Sequence, residues 1–350
     1  MLKRTVGCTN MVNNTLYRDA LSRAIKQLKL KNGRFLITGA SGLIGSCLID
    51  MLLLANEQGR SFEVFAVGRS REKLSKRFND FEGSSNLHFV EQDICNPLDA
   101  SLDVDYIIHG ASNADPRNYA LYPTETMLTN LYGTINVLEY CKAHKKTRML
   151  YLSTFEVYGN KGVDKYSEND FGIINVNQIR SSYPESKRSA EILTRCYVQE
   201  YGVNASIARL CSIYGPTMAM DDSKAHAQFI RNALEHKDIV LKSKGEQCRT
   251  YCYVIDAVTG LMFVLTKGIT GDVYNISYEG SIATIAEVAQ TVAEIVGTKV
   301  TFHLPDEIEV RGFSNPQKCI LDNSKLKELG WTGSYSLYDG LKETIEILKK

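Results

Sequence analysis

The sequence lacks several features that would assign it to a class at once. No apolar run approaches ~18 residues, so no helical membrane span is expected. No CxxC pair occurs, and the nine cysteines are scattered and odd in number. That usage points to reduced thiols in a cytoplasmic protein, many of them core filler, and not to a disulfide framework. Cys248 and Cys252 lie four apart without a matching His or Cys pair, so no metal site is expected. Neither sign of charge dominates: 41 basic residues stand against 40 acidic, for a net charge of +1. No global field therefore draws nucleic acid or an anionic membrane, and an anionic ligand must be held by local groups. There is no basic cluster interleaved with aromatics, no signal-peptide apolar stretch at the amino terminus, no internal repeat and no low-complexity segment.

What is present is a chain of 350 residues, 44% hydrophobic, enough for one large domain or two coupled ones. Short apolar, β-rich runs alternate with helical patterns. Phe35-Leu36-Ile37, Val64 to Val67, Leu87 to Val90, Tyr106-Ile107-Ile108, MLYL and ASIARL read as strands. Helical patterns lie between them, from Leu43 to Leu54, in NLYGTINVLEYCKAH and in SKRSAEILTRCYVQEY. Strands alternating with helices argue for an α/β fold, a doubly wound parallel sheet of the Rossmann type. After Tyr214 the pattern loosens. The segments there, DVYNIS among them, are not expected to extend the sheet cleanly, and they read as a smaller, discontinuous lobe over the C-terminal strand edge. The expected division is a helical extension over 1–32, a dinucleotide domain over 33–211 and 252–280, and a substrate lobe over 212–251 and 281–350. In the extension, LYRDALSRAIKQLKLK carries Leu16, Ala20, Ile25 and Leu28 as the apolar stripe of an amphipathic helix.

The loop TGASGLIG, Thr38 to Gly45, follows a strand and opens a helix. Gly39, Gly42 and Gly45 allow a tight turn and the close approach of a pyrophosphate, which the free N–H groups of the helix N-terminus attract. The second strand ends in Gly68-Arg69-Ser70-Arg71 with no acid. An acid there commonly serves NAD; Arg69 suits the 2′-phosphate of NADP, so this strand end by itself leans toward NADP. Asp93-Ile94, after the third strand, is a candidate partner for the adenine edge. Thr154 ends the strand MLYL. Tyr183 and Lys187 lie four apart at the start of a helix, on one face. A Tyr phenol is a poor base near neutral pH unless a cation such as the Lys ammonium favours its phenolate. With that help Tyr183 takes a proton from a sugar hydroxyl, and Thr154 bonds the same oxygen.

The motifs TGASGLIG, DYIIHGAS, NLYGTINVLE, STFEVYG, YPESK, the Tyr214-Gly215-Pro216 turn and GEQCRTYCYVIDAV together resemble the extended short-chain dehydrogenase/reductase family. These are nucleotide-sugar epimerases, dehydratases and decarboxylases. The resemblance runs from Gly33 to the C-terminus. It implies NAD as cofactor, reduced and reoxidised within one turnover, and held by Gly39, Ser41, Gly42, Leu43, Ile44, Gly45, Arg69, Asp93, Ile94, Ala111 and Ser112 together with Tyr183 and Lys187. It implies Thr154, Glu156, Tyr183 and Lys187 as catalytic, and Asn130, Thr154, Phe155 and Arg249 as substrate-binding, with Asn130 also packed centrally so as to fix the active-site backbone. Arg249 would meet the substrate diphosphate, for which a guanidinium fork is well suited. His109 is expected to be a structural histidine near the cofactor. A homodimer through a four-helix bundle is implied as well, built from TINVLEYCK and AEILTRCYV.

Within that family the chain is most similar to the UDP-glucuronate decarboxylase branch, in GASNADPRNYALYPTETMLTN, RSSYPESKRSAE and NPQKCILDNSKLKELGW. That branch carries Thr-Ser-Glu where this chain has Thr154, Phe155 and Glu156. It also has an arginine near the position of Cys319; here Arg311 lies eight residues upstream. The 4,6-dehydratases carry Thr-Asp-Glu, and Phe155 cannot deliver the proton that their Asp delivers. The expected activity is a nucleotide-sugar epimerase or dehydratase acting through a transient 4-keto sugar, with Glu156 as base. The alternatives are a nucleotide-uronic acid decarboxylase and, in another class, a dinucleotide-binding sensor without catalysis.

Overall fold

The computed structural model describes residues 11–303 and 318–349. The chain begins with α1 (Thr15–Gln27), β1 (Asn32–Thr38), α2 (Leu43–Glu57), β2 (Ser61–Gly68), α3 (Arg71–Arg77), β3 (Leu87–Glu91) and β4 (Tyr106–His109). It continues through α4 (Pro116–Leu121), α5 (Pro123–Ala143), β5 (Arg148–Thr154), β6 (Lys165–Tyr166), α6 (Ser182–Tyr201), β7 (Asn204–Leu210), β8 (Ser212–Tyr214), α7 (Ala225–Leu234) and β9 (Ile239–Leu241). There follow β10 (Cys248–Tyr253), α8 (Val254–Lys267), β11 (Val273–Ile276), β12 (Ile282–Thr284), α9 (Ile285–Val296) and β13 (Val300–Phe302).

Seven strands form one parallel sheet in the order β11-β7-β5-β4-β1-β2-β3. Its central strands are buried on both faces. Phe35 and Ile37 of β1 belong to the apolar cluster that also holds α2 and α8, whereas Leu36 between them belongs to the opposite cluster with Val137, Leu138 and Ala190 of α5 and α6. That alternation is why β1 reads as an unbroken apolar run. The winding reverses between β1 and β4, and there the strand ends Thr38 and His109 stand side by side. A reversal of this kind opens a crevice at the C-terminal strand ends.

β11 corrects one expectation. DVYNIS does extend the sheet: Val273–Ile276 pairs with β7 as the seventh parallel strand, all four residues buried. α8, buried on every side from Val254 to Leu265, makes the crossover that brings it there. The smaller sheet, β12-β10-β8, stands over the crevice. Ile320–Leu321, from the tail, pairs with β6, which follows the end of β5.

α1 starts at Asn14, whose side chain accepts from the Tyr17 N–H. Its buried face is Tyr17, Ala20, Leu21, Ala24 and Ile25, with Leu28 buried just beyond, whereas Leu16 is exposed. The expected stripe is therefore rotated. Tyr17 takes the inner position because its hydroxyl reaches Asp50 of α2 at 2.8 Å, which satisfies a buried polar tip.

Candidate active site

A cleft of about 1200 Å³ runs along the switch point, from Arg69 at the end of β2, past the glycine loop, to Thr154, Tyr183 and Arg249. At the loop the backbone admits no side chains. Gly39 has φ +71, and a Cβ there would stand 2.8 Å from the Gly110 carbonyl oxygen; one on Gly45 would stand 2.5 Å from the Gly39 oxygen. No side chain caps α2 at Gly42, so the first-turn N–H groups of Leu43, Ile44 and Gly45 remain available to an anion. The Thr38 hydroxyl accepts from the N–H groups of Gly110 and Ala111, both at 3.1 Å, and so fastens the loop after β4 to the glycine loop. Ser112, in that loop, places a buried hydroxyl oxygen in the cleft wall with no partner in the protein. Ser41, Asp93 and Ile94 also line the cleft. A bare helix N-terminus, a loop closed to any Cβ and an orphaned hydroxyl fit a bound dinucleotide.

The catalytic candidates converge at the far end of the same cleft. Tyr183 and Lys187 lie on the first two turns of α6 and are buried. The Lys187 ammonium donates to the Leu152 carbonyl at 2.8 Å and lies 4.9 Å from the Tyr151 ring centroid. Burial lowers its pKa to about 7, against a smaller opposing pull from Glu191. The Thr154 hydroxyl stands close enough to Tyr183 to favour its phenolate. Burial, then the charge of Glu156, push the Tyr183 phenol above the ordinary range, and Thr154 opposes this. The Tyr183 ring stacks on Tyr119, with centroids 4.9 Å apart.

After Thr154 the chain tightens into a 3₁₀ turn, Phe155–Tyr158, in which the Glu156 N–H donates to the Thr154 hydroxyl at 3.3 Å. Arg188 of α6 braces the turn by donating to the Val157 carbonyl from Nη2 at 2.6 Å. Below it, the Ser153 hydroxyl donates to Glu191, which is paired with Arg209 at 2.8 Å. The carboxylate of Glu156 is held by Arg180 Nη1 at 2.9 Å and is largely shielded, its side chain 18% exposed. Phe155 faces the substrate end, with the Arg249 guanidinium 5.5 Å from its ring centroid. Arg249 sits on β10, where a backbone bridge sets it beside Cys319. Cys319, near which the resemblance puts the decarboxylases' arginine, is a half-buried thiol, and burial raises it to about 12. Arg311 lies outside the described residues.

Residues 35–277 match the NAD dependent epimerase/dehydratase family. The chain belongs to that family. It is 34% identical over 311 residues to UDP-glucuronic acid decarboxylase 6 of Arabidopsis thaliana, covering 89% of this chain and 87% of the relative. It is 33% identical to UDP-glucuronic acid decarboxylase 1 of Xenopus tropicalis, covering 91% and 72%. Among solved structures it is similar to UDP-glucuronic acid 4-epimerase from Bacillus cereus in complex with UDP-glucuronic acid and NAD. That match has a TM-score of 0.75 and 28% identity over 90% of this chain and 99% of the other. A dTDP-glucose 4,6-dehydratase from Bacillus anthracis, solved with NAD and 23% identical, shares the fold at a TM-score of 0.74.

The protein is thus an NAD-dependent enzyme of the nucleotide-sugar epimerase/dehydratase type. The lean toward NADP at the end of β2 is corrected accordingly; Arg69 is paired with Glu125 at 2.9 Å. Asn130 also stands elsewhere than a substrate contact would. It does not line the cleft; it is buried between α5 and α6 and donates to the Ser186 hydroxyl at 2.9 Å, next to Lys187. His109 is held between the hydroxyls of Thr38 and Thr134, at 2.8 and 3.3 Å, and burial lowers it to about 3, so it is neutral.

Three contributors escaped the sequence reading of the site. Tyr119 supplies the face against which Tyr183 stacks. Arg180 was visible only as part of a family-like stretch, without its pairing to Glu156. Asp115 accepts from the Ser223 N–H at 2.8 Å and the Ser223 hydroxyl at 2.9 Å, while capping α4, and so joins the loop after β4 to the segment before α7. Both residues line the cleft. No signal near Asp115 in the sequence announces a partner 108 residues away.

Proposed function

We propose that the enzyme is a nucleotide-sugar epimerase that oxidises a ring hydroxyl, most simply at C4, to a transient ketone and uses Glu156 as the base on the neighbouring carbon. The observation that carries this reading is the Glu156 carboxylate, fixed by Arg180 and set in the same cleft wall as Tyr183 and Thr154. Bound NAD supplies the hydride acceptor and returns the hydride in the same turnover. Thr154 holds the reacting oxygen, and Tyr183 takes the hydroxyl proton. Burial pushes the Tyr183 phenol up, so Tyr183 takes that proton as the phenolate, the form that the neighbouring Lys187 ammonium favours. A ketone acidifies the adjoining C–H bond, and an ionised carboxylate held in place can remove that proton. Phe155 offers no proton to a departing hydroxyl, which favours inversion over elimination. Arg249 receives the diphosphate of the nucleotide sugar. The B. cereus relative, solved with UDP-glucuronic acid and NAD, supports that class of substrate.

Decarboxylation of a nucleotide uronic acid is the second reading, favoured by the curated relatives at 33–34% identity. Phe155 and Cys319, where that branch has serine and arginine, weigh against it. Mass spectrometry of the products from a panel of nucleotide sugars separates the two. An isomer of unchanged mass supports the first reading; carbon dioxide release from a uronic acid establishes the second.

The α5–α6 pair leaves Leu128, Tyr132 and Ile192 exposed, and we assign this face to a homodimer through a four-helix bundle. A dimeric mass by light scattering at micromolar concentration is the expected result; a monomeric mass contradicts it. Among the described residues no helix is long and apolar enough to cross a membrane.

A further inference from the structure

How this chain selects NAD at the end of β2 is not explained by the usual device. An acid at this point bonds the ribose 2′-hydroxyl of NAD, whereas an arginine accommodates the 2′-phosphate of NADP. Here the strand ends in Gly68-Arg69-Ser70-Arg71, with no acid. Arg69 lines the cleft, yet its Nη1 donates to Glu125 Oε1 at 2.9 Å. Glu125 comes from α5, 56 residues on. It lies in the first turn, where the helix dipole favours a carboxylate, and the same oxygen accepts from Asn113 Nδ2 at 3.4 Å.

Of the arginines near this rim, Arg71 and Arg77 are engaged elsewhere. The Arg71 guanidinium lies over the Phe89 ring and donates from Nη1 to the Phe89 carbonyl at 3.4 Å, while the Arg71 backbone N–H donates to Glu91 at 3.2 Å. Arg77 is buried against Asp50. Lys73 and Asp93, of opposite sign, also line the cleft.

We propose that Glu125 is a specificity-determining residue that enforces NAD over NADP by occupying Arg69. A 2′-phosphate brings close to two negative charges; it must compete with Glu125 for the guanidinium and then stand beside the displaced carboxylate. A neutral 2′-hydroxyl meets neither obstacle. The acid missing from the strand is thus supplied by a helix and acts through the arginine. Because the two side chains are 57% and 48% exposed, solvent and salt screen the pair, and the effect is modest: about tenfold in NADPH affinity.

The test is direct binding of NADH and NADPH, followed by the fluorescence of the bound nucleotide, in the wild type, Glu125→Gln, Glu125→Ala, and Glu125→Gln combined with Arg69→Ala. Expected are a wild type that prefers NADH, a gain of about tenfold in NADPH affinity in both Glu125 variants with NADH affinity nearly unchanged, and loss of that gain in the double variant. NADPH affinity unchanged by both Glu125 substitutions would overturn the proposal. So would a parallel loss of both nucleotides, which would make Glu125 a mere brace for the Asn113 loop. NADH binding in the wild type checks the family's cofactor separately, so its failure is distinguishable from failure of the Glu125 assignment.

Discussion

Two ion pairs mark the two ends of the cleft, and they are built in opposite senses. At β2 the strand end provides the cation, Arg69, and a helix start provides the acid, Glu125. At β5 the turn provides the acid, Glu156, and the segment leading into α6 provides the cation, Arg180. The separation is 2.9 Å in both. Both arginines are 57% exposed; what differs is the acid, the Glu156 side chain being 18% exposed and that of Glu125 48%. A carboxylate shielded from solvent is held more firmly in one pose than a half-exposed one, whose ion pair is screened. On the readings proposed above, the Glu156 end positions a base and the Arg69 end selects a cofactor.

The sharpest break in that comparison is Tyr183→Phe. It removes the proton acceptor at one end only, so kcat should fall about a thousandfold while NADH affinity is kept. Stopped-flow assays paired with nucleotide fluorescence read both quantities. Glu156→Gln comes next, with a loss of about a hundredfold in turnover. Because Thr154, Tyr183 and Lys187 stay intact, sugar oxidation survives, and absorbance of reduced nicotinamide should build up on mixing with substrate. Turnover unaltered by this substitution removes Glu156 from the chemistry. Asp115→Ala acts between the ends by releasing the contact with Ser223. We expect KM for the nucleotide sugar to rise several-fold with kcat nearly constant, as for loss of exposed hydrogen bonds to a charged group.

A further prediction is on stability, and it concerns the sheet between the two pairs. His109 protonates near 6.5 in an unfolded chain and near 3 in the fold. Between those values the unfolded state binds the extra proton, so the fold loses stability as pH drops from about 6.5 toward 3. A thermal-melt series should show this decline, and His109→Gln should flatten it. A slope identical in the variant excludes His109 as its source.

The adenosine and nicotinamide ends were legible in the sequence to different degrees, for a physical reason. The glycine loop sits between a strand and a helix that adjoin it in the chain, and Tyr183 and Lys187 share one helix face. Local spacing therefore placed them in one cleft. The groups that modulate them come from far away: Glu125 reaches Arg69 across 56 residues, and Ser223 reaches Asp115 across 108. Such pairs leave no local pattern. Asn130 shows the converse. Its motif marked it both for central packing and for substrate contact; the structure shows the packing, against Ser186, and does not set it in the cleft lining. Tyr17 and Leu16 show the limit of an apolar stripe, since the residue with the polar tip went inward to meet Asp50. DVYNIS reaches β7 only through the crossover α8, so no neighbouring segment announces its place at the sheet edge.

The central claim is that Glu156 removes a proton from the carbon beside a transient ketone. Turnover in deuterated water, with the product analysed by mass spectrometry and NMR, tests it most directly. The account predicts an isomeric product carrying one solvent deuterium on the carbon next to the oxidised position, and loss of that label in Glu156→Gln. An inverted product without carbon-bound deuterium would contradict it, leaving inversion at the oxidised carbon alone and no role for Glu156 as a base.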